Sequence, residues 1–308
     1  MKPIKIDWTV WKPRLLYGGF FALAFLLALR QTFPTEAVKQ RLILEAAAQG
    51  WQLDADDLSP AGLVGVSAHN LRLEDRTGRK LSADAVSVSL RPLPLLLGRR
   101  SVAFDLSIWE GRVRGTADLS GAERRYTAAV ERVDLAAAAP LRNASGLELL
   151  GILSGTADVT LPEDAKGKPS GHVALTVKDA GLNGGQIPIA AMGGALSIPK
   201  VALGQLGVEV AFEDARGNVK KLEARGGDAE LTGEGLYFMW QPRLEIAPLF
   251  GKAGLRIQDA FWTKSGTAAM RSVVEMALAS AKGRDGSYQF QIFGTLGHPQ
   301  ARPLAGGQ

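Results

Sequence analysis

Three histidines, His69, His172 and His298, are the side chains best suited to metal or acid–base chemistry, and the chain has no cysteine. A zinc site needs three or four converging His, Cys or carboxylate ligands. The histidines stand far apart, none has a second ligand type at metal spacing, and no HExxH pattern occurs. They read as surface histidines. Without cysteine there is no thiol nucleophile, and no serine occupies a GxSxG elbow. The pairs Gly184-Gly185 and Gly193-Gly194 lack the GxGxxG or GxxxxGK spacing that cradles phosphate, and they read as hairpin turns. Asp54, Asp56 and Asp57 begin like a calcium loop. Counting from Asp54, however, the sixth place holds Ser59 where the loop requires glycine, and the twelfth holds Gly65 where it requires a bidentate glutamate. A solvated turn explains the acidic run. The expectation is a protein that is not an enzyme and uses neither metal nor cofactor.

The element that would position everything else is the uncharged stretch Leu15–Leu29, LLYGGFFALAFLLAL, which includes Phe20, Phe21 and Phe25 and lies between Arg14 and Arg30. Fifteen helical residues reach roughly 22 Å, short of a hydrocarbon core of about 30 Å. The flanks supply the rest, because Trp11 to Phe33 spans roughly 34 Å as a helix. Trp8 and Trp11 suit a headgroup layer, and Arg14 and Arg30 can extend their charges outward. A cleaved signal peptide would require small residues at its cleavage site, and Leu27-Ala28-Leu29-Arg30 offers no A-x-A pattern. A soluble helix apolar on every face belongs at the centre of a large core, which a chain terminus seldom supplies. Of the three readings, an uncleaved signal anchor is favoured. Lys2, Lys5, Lys12 and Arg14 against Asp7 keep the N-terminus cytoplasmic by the positive-inside rule. Residues 1–33 then form the cytoplasmic N-terminus and a single-pass anchor in a bacterial inner membrane, and residues 34–308 form one periplasmic domain.

Charge supports this division. The pI of about 9.4 points to nucleic acid only until the charge is located. Residues 1–30 hold five Lys or Arg against one Asp, whereas the remaining 278 residues hold 31 basic and 30 acidic side chains. The basicity belongs to the anchor, so no nucleic-acid partner is expected. The 36 glycines are scattered at strand ends instead of forming a linker, as many short strands joined by turns require.

Beyond the anchor, Thr35–Gln49 reads as a helix, with Val38, Leu42, Ala46 and Gln49 on one side and Gly50 as its stop. Trp51 opens a β-rich region. Val102, Phe104, Leu106 and Ile108 alternate with Ala103, Asp105, Ser107 and Trp109. The same period recurs at Val86–Leu90, Val113–Leu119, Val173–Val177, Leu206–Phe212 and Tyr288–Ile292. One apolar and one wettable face is the pattern of an antiparallel sheet, and a doubly wound parallel fold is excluded by the lack of alternating helices. Gly115-Thr116-Ala117-Asp118-Leu119 returns as Gly155-Thr156-Ala157-Asp158-Val159, a hint of repeated hairpin units.

Two segments break the strand period. Pro92–Arg100 is a compact apolar knot in which Leu95, Leu96, Leu97 and Gly98 are expected to cap an open end of the sheet. A membrane-touching loop is the alternative, because Arg99 and Arg100 follow directly. Met270, Val273, Val274, Ala277, Leu278 and Ala281 recur at helical spacing before Gly283, predicting a helix that caps the far end or docks on a partner.

The run from Ser59-Pro60-Ala61-Gly62-Leu63, through Leu81-Ser82-Ala83-Asp84-Ala85-Val86, to Leu95-Leu96-Leu97-Gly98-Arg99 resembles the amino-terminal module of AsmA-like proteins. With the closing Asp285–Phe290 and Gly294-Thr295-Leu296-Gly297-His298-Pro299, the layout is similar to the N component of bacterial type II secretion systems (GspN) in the form described from deltaproteobacteria. The resemblance implies a mainly β fold, with an N-terminal transmembrane helix followed by a curved, largely antiparallel extended sheet and short end-capping helices. It also implies an accessory role beside other secretion components, including the secretin, and carries over no catalytic residue. AsmA kinship raises the alternative of an envelope protein that binds or transfers phospholipid in an apolar groove. Periodicity alone leaves open whether the apolar face is a packed core or such a groove.

Overall fold

Period-two alternation can satisfy both water and a nonpolar environment only if the strands pair side by side with their apolar positions aligned. A computed structural model describes residues 35–48, 50–61, 65–75, 80–138, 147–162, 167–189, 194–241, 243–264 and 267–304. Helix α1 (Thr35–Ala48) comes first, and Gly50 ends it with φ 84°. Fifteen strands follow among the described residues. The first seven are β1 (Trp51–Asp54), β2 (Asp57–Pro60), β3 (Gly65–Asp75), β4 (Lys80–Leu90), β5 (Ser101–Ile108), β6 (Gly111–Asp118) and β7 (Glu123–Asp134). Then come the long strands β8 (Leu147–Pro162), β9 (Ser170–Ile189) and β10 (Gly194–Glu213). The sheet closes its course with β11 (Arg216–Arg225), β12 (Ala229–Met239), β13 (Leu249–Ile257), β14 (Tyr288–Thr295) and β15 (His298–Pro303). Short helices interrupt it at α2 (Pro92–Leu96), α3 (Asp259–Trp262) and α4 (Arg271–Ala277).

The chain is mainly β, and its strands form one open antiparallel sheet in sequence order, with β1 and β2 together forming the first edge along β3. Because each strand reverses the last, successive turns alternate between two ends. The β4–β5, β6–β7, β10–β11 and β12–β13 turns share one end. The β5–β6 and β11–β12 turns and the α3–α4 connection share the other.

The register also builds a crease. Pairing shifts between Val130 and Val133, between Leu150 and Ile152, and between Ala202 and Gly204 fall at one level of four adjacent strands. Arg132, Gly151, Asp179 and Gly204 take positive φ there. Each bulge bends its strand and raises its twist. The row Val133–Leu153–Val177–Leu206–Ala224 runs beside them, and Val133, Val177 and Ala224 are buried.

A second buried region lies at the β12–β13 end, where Phe212, Phe238, Ala247 and Leu249 pack with Trp240 and Ile292. Phe212 meets Phe238 edge-on at 5.8 Å and Trp240 at 6.1 Å. The segment after Trp240 folds back over this cluster: Leu296 N–H donates to Ala247 O (2.9 Å) and Gly297 N–H to Glu245 O (2.9 Å).

The expected helix over Met270–Ala281 is shorter than its spacing predicts. A 3-10 turn at Ala268–Met270 leads into α4, and another follows at Ala279–Ala281. Tight turns at helix ends are common where no cap supplies partners, and none of these termini has a side-chain cap. The anchor residues Trp11, Arg14, Leu15, Phe20, Phe21, Phe25, Leu29 and Arg30 lie outside the described residues. Among the described residues, no helix is long and apolar enough to cross a membrane.

Candidate functional site: an apolar trough

Strand pairing assembles an apolar row across nine strands: Val66, Val88, Phe104, Gly115, Ala128, Ala157, Val173, Val210 and Val219 are successive cross-strand partners. One residue along, the opposite face carries Ser67, Ser87, Asp105 and Arg114. Ion pairs populate that wetted face. Arg112 donates from Nε to Asp105 Oδ1 (2.7 Å), and Arg125 donates from Nε and a terminal nitrogen to the two oxygens of Asp158 (2.9 and 2.6 Å). The hydrogen bond from Arg112 holds the Asp105 carboxyl below the usual range, and that from Arg125 does the same for Asp158. Such exposed pairs keep the outer face in water and contribute little stability.

The apolar face is hollow beneath α1. There a cavity of about 690 Å³ is lined by Leu42 and Ala46 of the helix, Trp51, Leu53, Ala55 and Leu58 of the edge, and Val66, Ala68, Leu71 and Leu73 of β3. Val86, Val88 and Leu90 of β4 and Val102 of β5 complete the wall. Only Glu45 and Ser89 among the lining residues carry a carboxyl or hydroxyl group. Lys39 Nζ donates to Ala55 O (3.1 Å), tying the helix along the edge strand. At Asn70, φ 51°, side-chain parity reverses, so Val66 and Ala68 before it and Leu71 and Leu73 after it line the same cavity.

The trough is not a filled core. Leu42 stays 43% exposed and Val88 42% exposed, although both belong to its wall. Farther along the face, Val113, Val130, Val159 and Leu175 are only half-buried. Near the β12–β13 end of this face, the described residues include a buried aliphatic and aromatic cluster around Phe212 and Phe238. A row of small residues, Gly115, Ala128 and Ala157, forms the floor between the two regions.

The residues expected to cap the sheet stand at one of its ends, with their side chains exposed. Leu95, Leu96 and Leu97 belong to the β4–β5 turn, and Gly98 completes it with φ 73°. Leu93, Leu96 and Leu97 are 74%, 83% and 79% exposed. The turn satisfies its own backbone, with Leu97 N–H on Pro94 O (3.0 Å), Gly98 N–H on Leu95 O (3.0 Å) and Arg99 N–H on Pro94 O (2.8 Å). The Phe212–Phe238 cluster, packed with Trp240, Ala247 and Leu249, lies toward the same end, and sequence periodicity does not single it out.

His69, His172 and His298 are exposed on three separate strands. Asp56, in the exposed link between β1 and β2, accepts from Asn70 Nδ2 of β3 (3.1 Å). Among the described residues no group of His, Asp or Glu is placed to hold a metal ion. A polar cleft of about 390 Å³ on the wetted face gathers Arg225, Glu230, Arg256 and Asp285; Arg256 pairs with Asp285 at 3.2 Å, and Arg225 pairs with the neighbouring Glu223.

Comparison with protein-family models, with curated proteins and with solved structures finds no match to this chain. The likeness to AsmA-like and type II secretion N proteins therefore rests on the sequence patterns alone.

Proposed function

We propose that this chain is a non-enzymatic scaffold of the bacterial envelope, anchored in the inner membrane through residues 1–33, whose extracytoplasmic sheet accommodates hydrocarbon chains such as those of phospholipids. The observation that carries this reading is the trough beneath α1: a cavity of about 690 Å³, walled by aliphatic side chains that remain partly open to solvent. Its size falls within the range of about 300–1,000 Å³ typical of small-molecule pockets. A wall with almost no hydrogen-bonding groups offers nothing to a sugar, nucleotide or peptide backbone. It suits an acyl chain, which gains free energy in proportion to the apolar area removed from water.

The test is mass spectrometry of the full chain purified from membranes under mild conditions. Phospholipid retained near stoichiometrically by the natural chain, and lost from a Leu42→Lys, Val88→Gln double variant, is the expected result. Equal lipid content in both, or none in either, overturns the reading. Both positions are half-exposed, so the fold tolerates the change.

A second reading, an accessory subunit of a type II secretion system acting through periplasmic protein contacts, draws on the sequence resemblance and on the open edge of the sheet. All six residues of β15 are exposed, and the strand pairs on one side only. Affinity capture from membranes tests it. Recovery of the secretin or an inner-membrane secretion subunit supports it, and their absence in mild detergent counts against it.

A further inference from the structure

The β4–β5 turn concentrates what the rest of the surface avoids. Residues 91–100 hold four leucines and three arginines without one acidic residue. Leu93, Leu96 and Leu97 are the most exposed large aliphatic residues of the described chain apart from Met276. Solvent-facing apolar clusters of this kind mark contact sites. Arg91, Arg99 and Arg100 are exposed around them. The charge of Arg99 reaches Asp118, whose carboxyl is held low chiefly by its hydrogen bond with Ser120. The turn is firmly based: Arg100 N–H donates to Ser120 Oγ (2.7 Å), Leu119 N–H to Arg100 O (2.8 Å), and Arg91 N–H to Ser101 O (2.9 Å). Pro92 and Pro94 stiffen its helical turn. It is a fixed apolar tip with a cationic collar.

Two features decide what such a tip meets. The first is chemistry: protein–protein hot spots favour Trp, Tyr and Arg and under-use Leu, whereas leucines ringed by arginines match hydrocarbon below a layer of anionic headgroups. The second is position. Helix α1 runs back along the edge from Trp51 toward the β4–β5 end, since Ala47 neighbours Trp51 and Leu53 while Lys39 reaches Ala55. Thr35, where the described helix begins, thus stands toward the side on which the tip projects, and the uncharged stretch Leu15–Leu29 precedes it in the sequence. Leu90 and Val102, the trough residues nearest that end, flank the turn directly.

We propose that the turn Arg91–Arg100 enters an anionic bilayer surface, with Leu93, Leu96 and Leu97 below the headgroups and Arg91, Arg99 and Arg100 at the phosphates, bringing the mouth of the trough to the membrane. The bilayer contact stands on the exposed turn alone, and only the purpose of that contact rests on the trough holding acyl chains.

The absence of cysteine permits a direct test. The full chain carrying Leu96→Cys, labelled with an environment-sensitive fluorophore, is reconstituted into vesicles of phosphatidylcholine and phosphatidylglycerol. A Met276→Cys chain, labelled at the opposite end of the sheet, serves as the reference. Blue-shifted emission and quenching by brominated acyl chains several-fold stronger at position 96 than at 276 are expected. Replacing Arg91, Arg99 and Arg100 with Gln should remove the dependence on phosphatidylglycerol. A label at position 96 that stays in water, or is quenched no more than at 276, overturns the proposal and leaves the tip to a protein partner. Lipid extraction from the same preparations separates the outcomes: an immersed tip on a lipid-free chain refutes the trough reading alone, and a lipid-loaded chain with a dry tip refutes the membrane contact alone.

Discussion

The tip of the Phe238 ring reaches over Gly217, its cross-strand partner, so that a β-carbon at position 217 would overlap the ring itself. The glycine is therefore a seat for the aromatic side chain and not a weak point in β11. Phe104 covers Gly115 in the same way one half of the sheet earlier. Gly217→Ala should lower stability by about 1–3 kcal/mol, the usual cost of overpacking. Gly207→Ala, where the nearest neighbour is the flexible Lys221 side chain at 3.6 Å, should instead be neutral or stabilising by about 0.5 kcal/mol. Thermal denaturation of the two variants, moving in opposite directions, checks the contrast.

Asp228 ties three segments at the β11–β12 end. Its carboxylate accepts from Ala202 N–H (2.9 Å) and from Lys264 Nζ (2.7 Å), and the residue is 8% exposed. Burial pushes its carboxyl up, but the Lys264 ammonium and the Ala202 amide outweigh that effect and hold it below the ordinary range. A carboxyl depressed by folding stabilises fully above its unfolded value of about 3.9. That stabilisation is lost as pH falls through the lower, folded value. Asp228→Asn should cost about 1–2 kcal/mol at neutral pH and flatten the acid limb of stability below about pH 4. Urea titrations across pH measure both.

Ion pairs on the wetted face should behave differently. Arg125 is largely exposed and Asp158 about a third so, and water screens the pair. Asp158→Asn should change stability by less than about 1 kcal/mol, with the difference shrinking in high salt. A loss larger than that would mean the pair sets strand register.

Within the trough, Leu42→Lys and Val88→Gln should leave the thermal midpoint almost unchanged while weakening uptake of a lipophilic dye about tenfold, equivalent to about 1.4 kcal/mol. Fluorescence titration reads the affinity, and circular dichroism confirms the sheet.

Much of the sheet was legible because its signal is local. Val102 to Ile108, Val113 to Leu119 and Tyr288 to Ile292 alternate cleanly, and each lies in or beside a strand of the observed sheet. The repeated Gly-Thr-Ala-Asp motif marks β6 and β8, which flank β7 on either side. What the sequence withheld depends on backbone conformation or on distant packing. Positive φ at Asn70 turns Leu71 and Leu73 toward the trough, and no period-two count can reveal that reversal. The Phe212–Phe238–Leu249 cluster joins residues from three strands and carries no local signature. Apolar runs usually hide, so nothing in the sequence signals that Leu93, Leu95, Leu96 and Leu97 are exposed on a two-proline turn.

From β3 to β15 the described strands follow chain order without a crossover, and this makes the sheet extensible. A strand added or deleted in pairs at a turn such as Ser120–Gly121 disturbs only its immediate neighbours, as in repeat architectures. Reach is thus a parameter that insertion and deletion can tune without rewiring the rest: a longer chain of this kind is a longer slide, and a shorter one still has two ends.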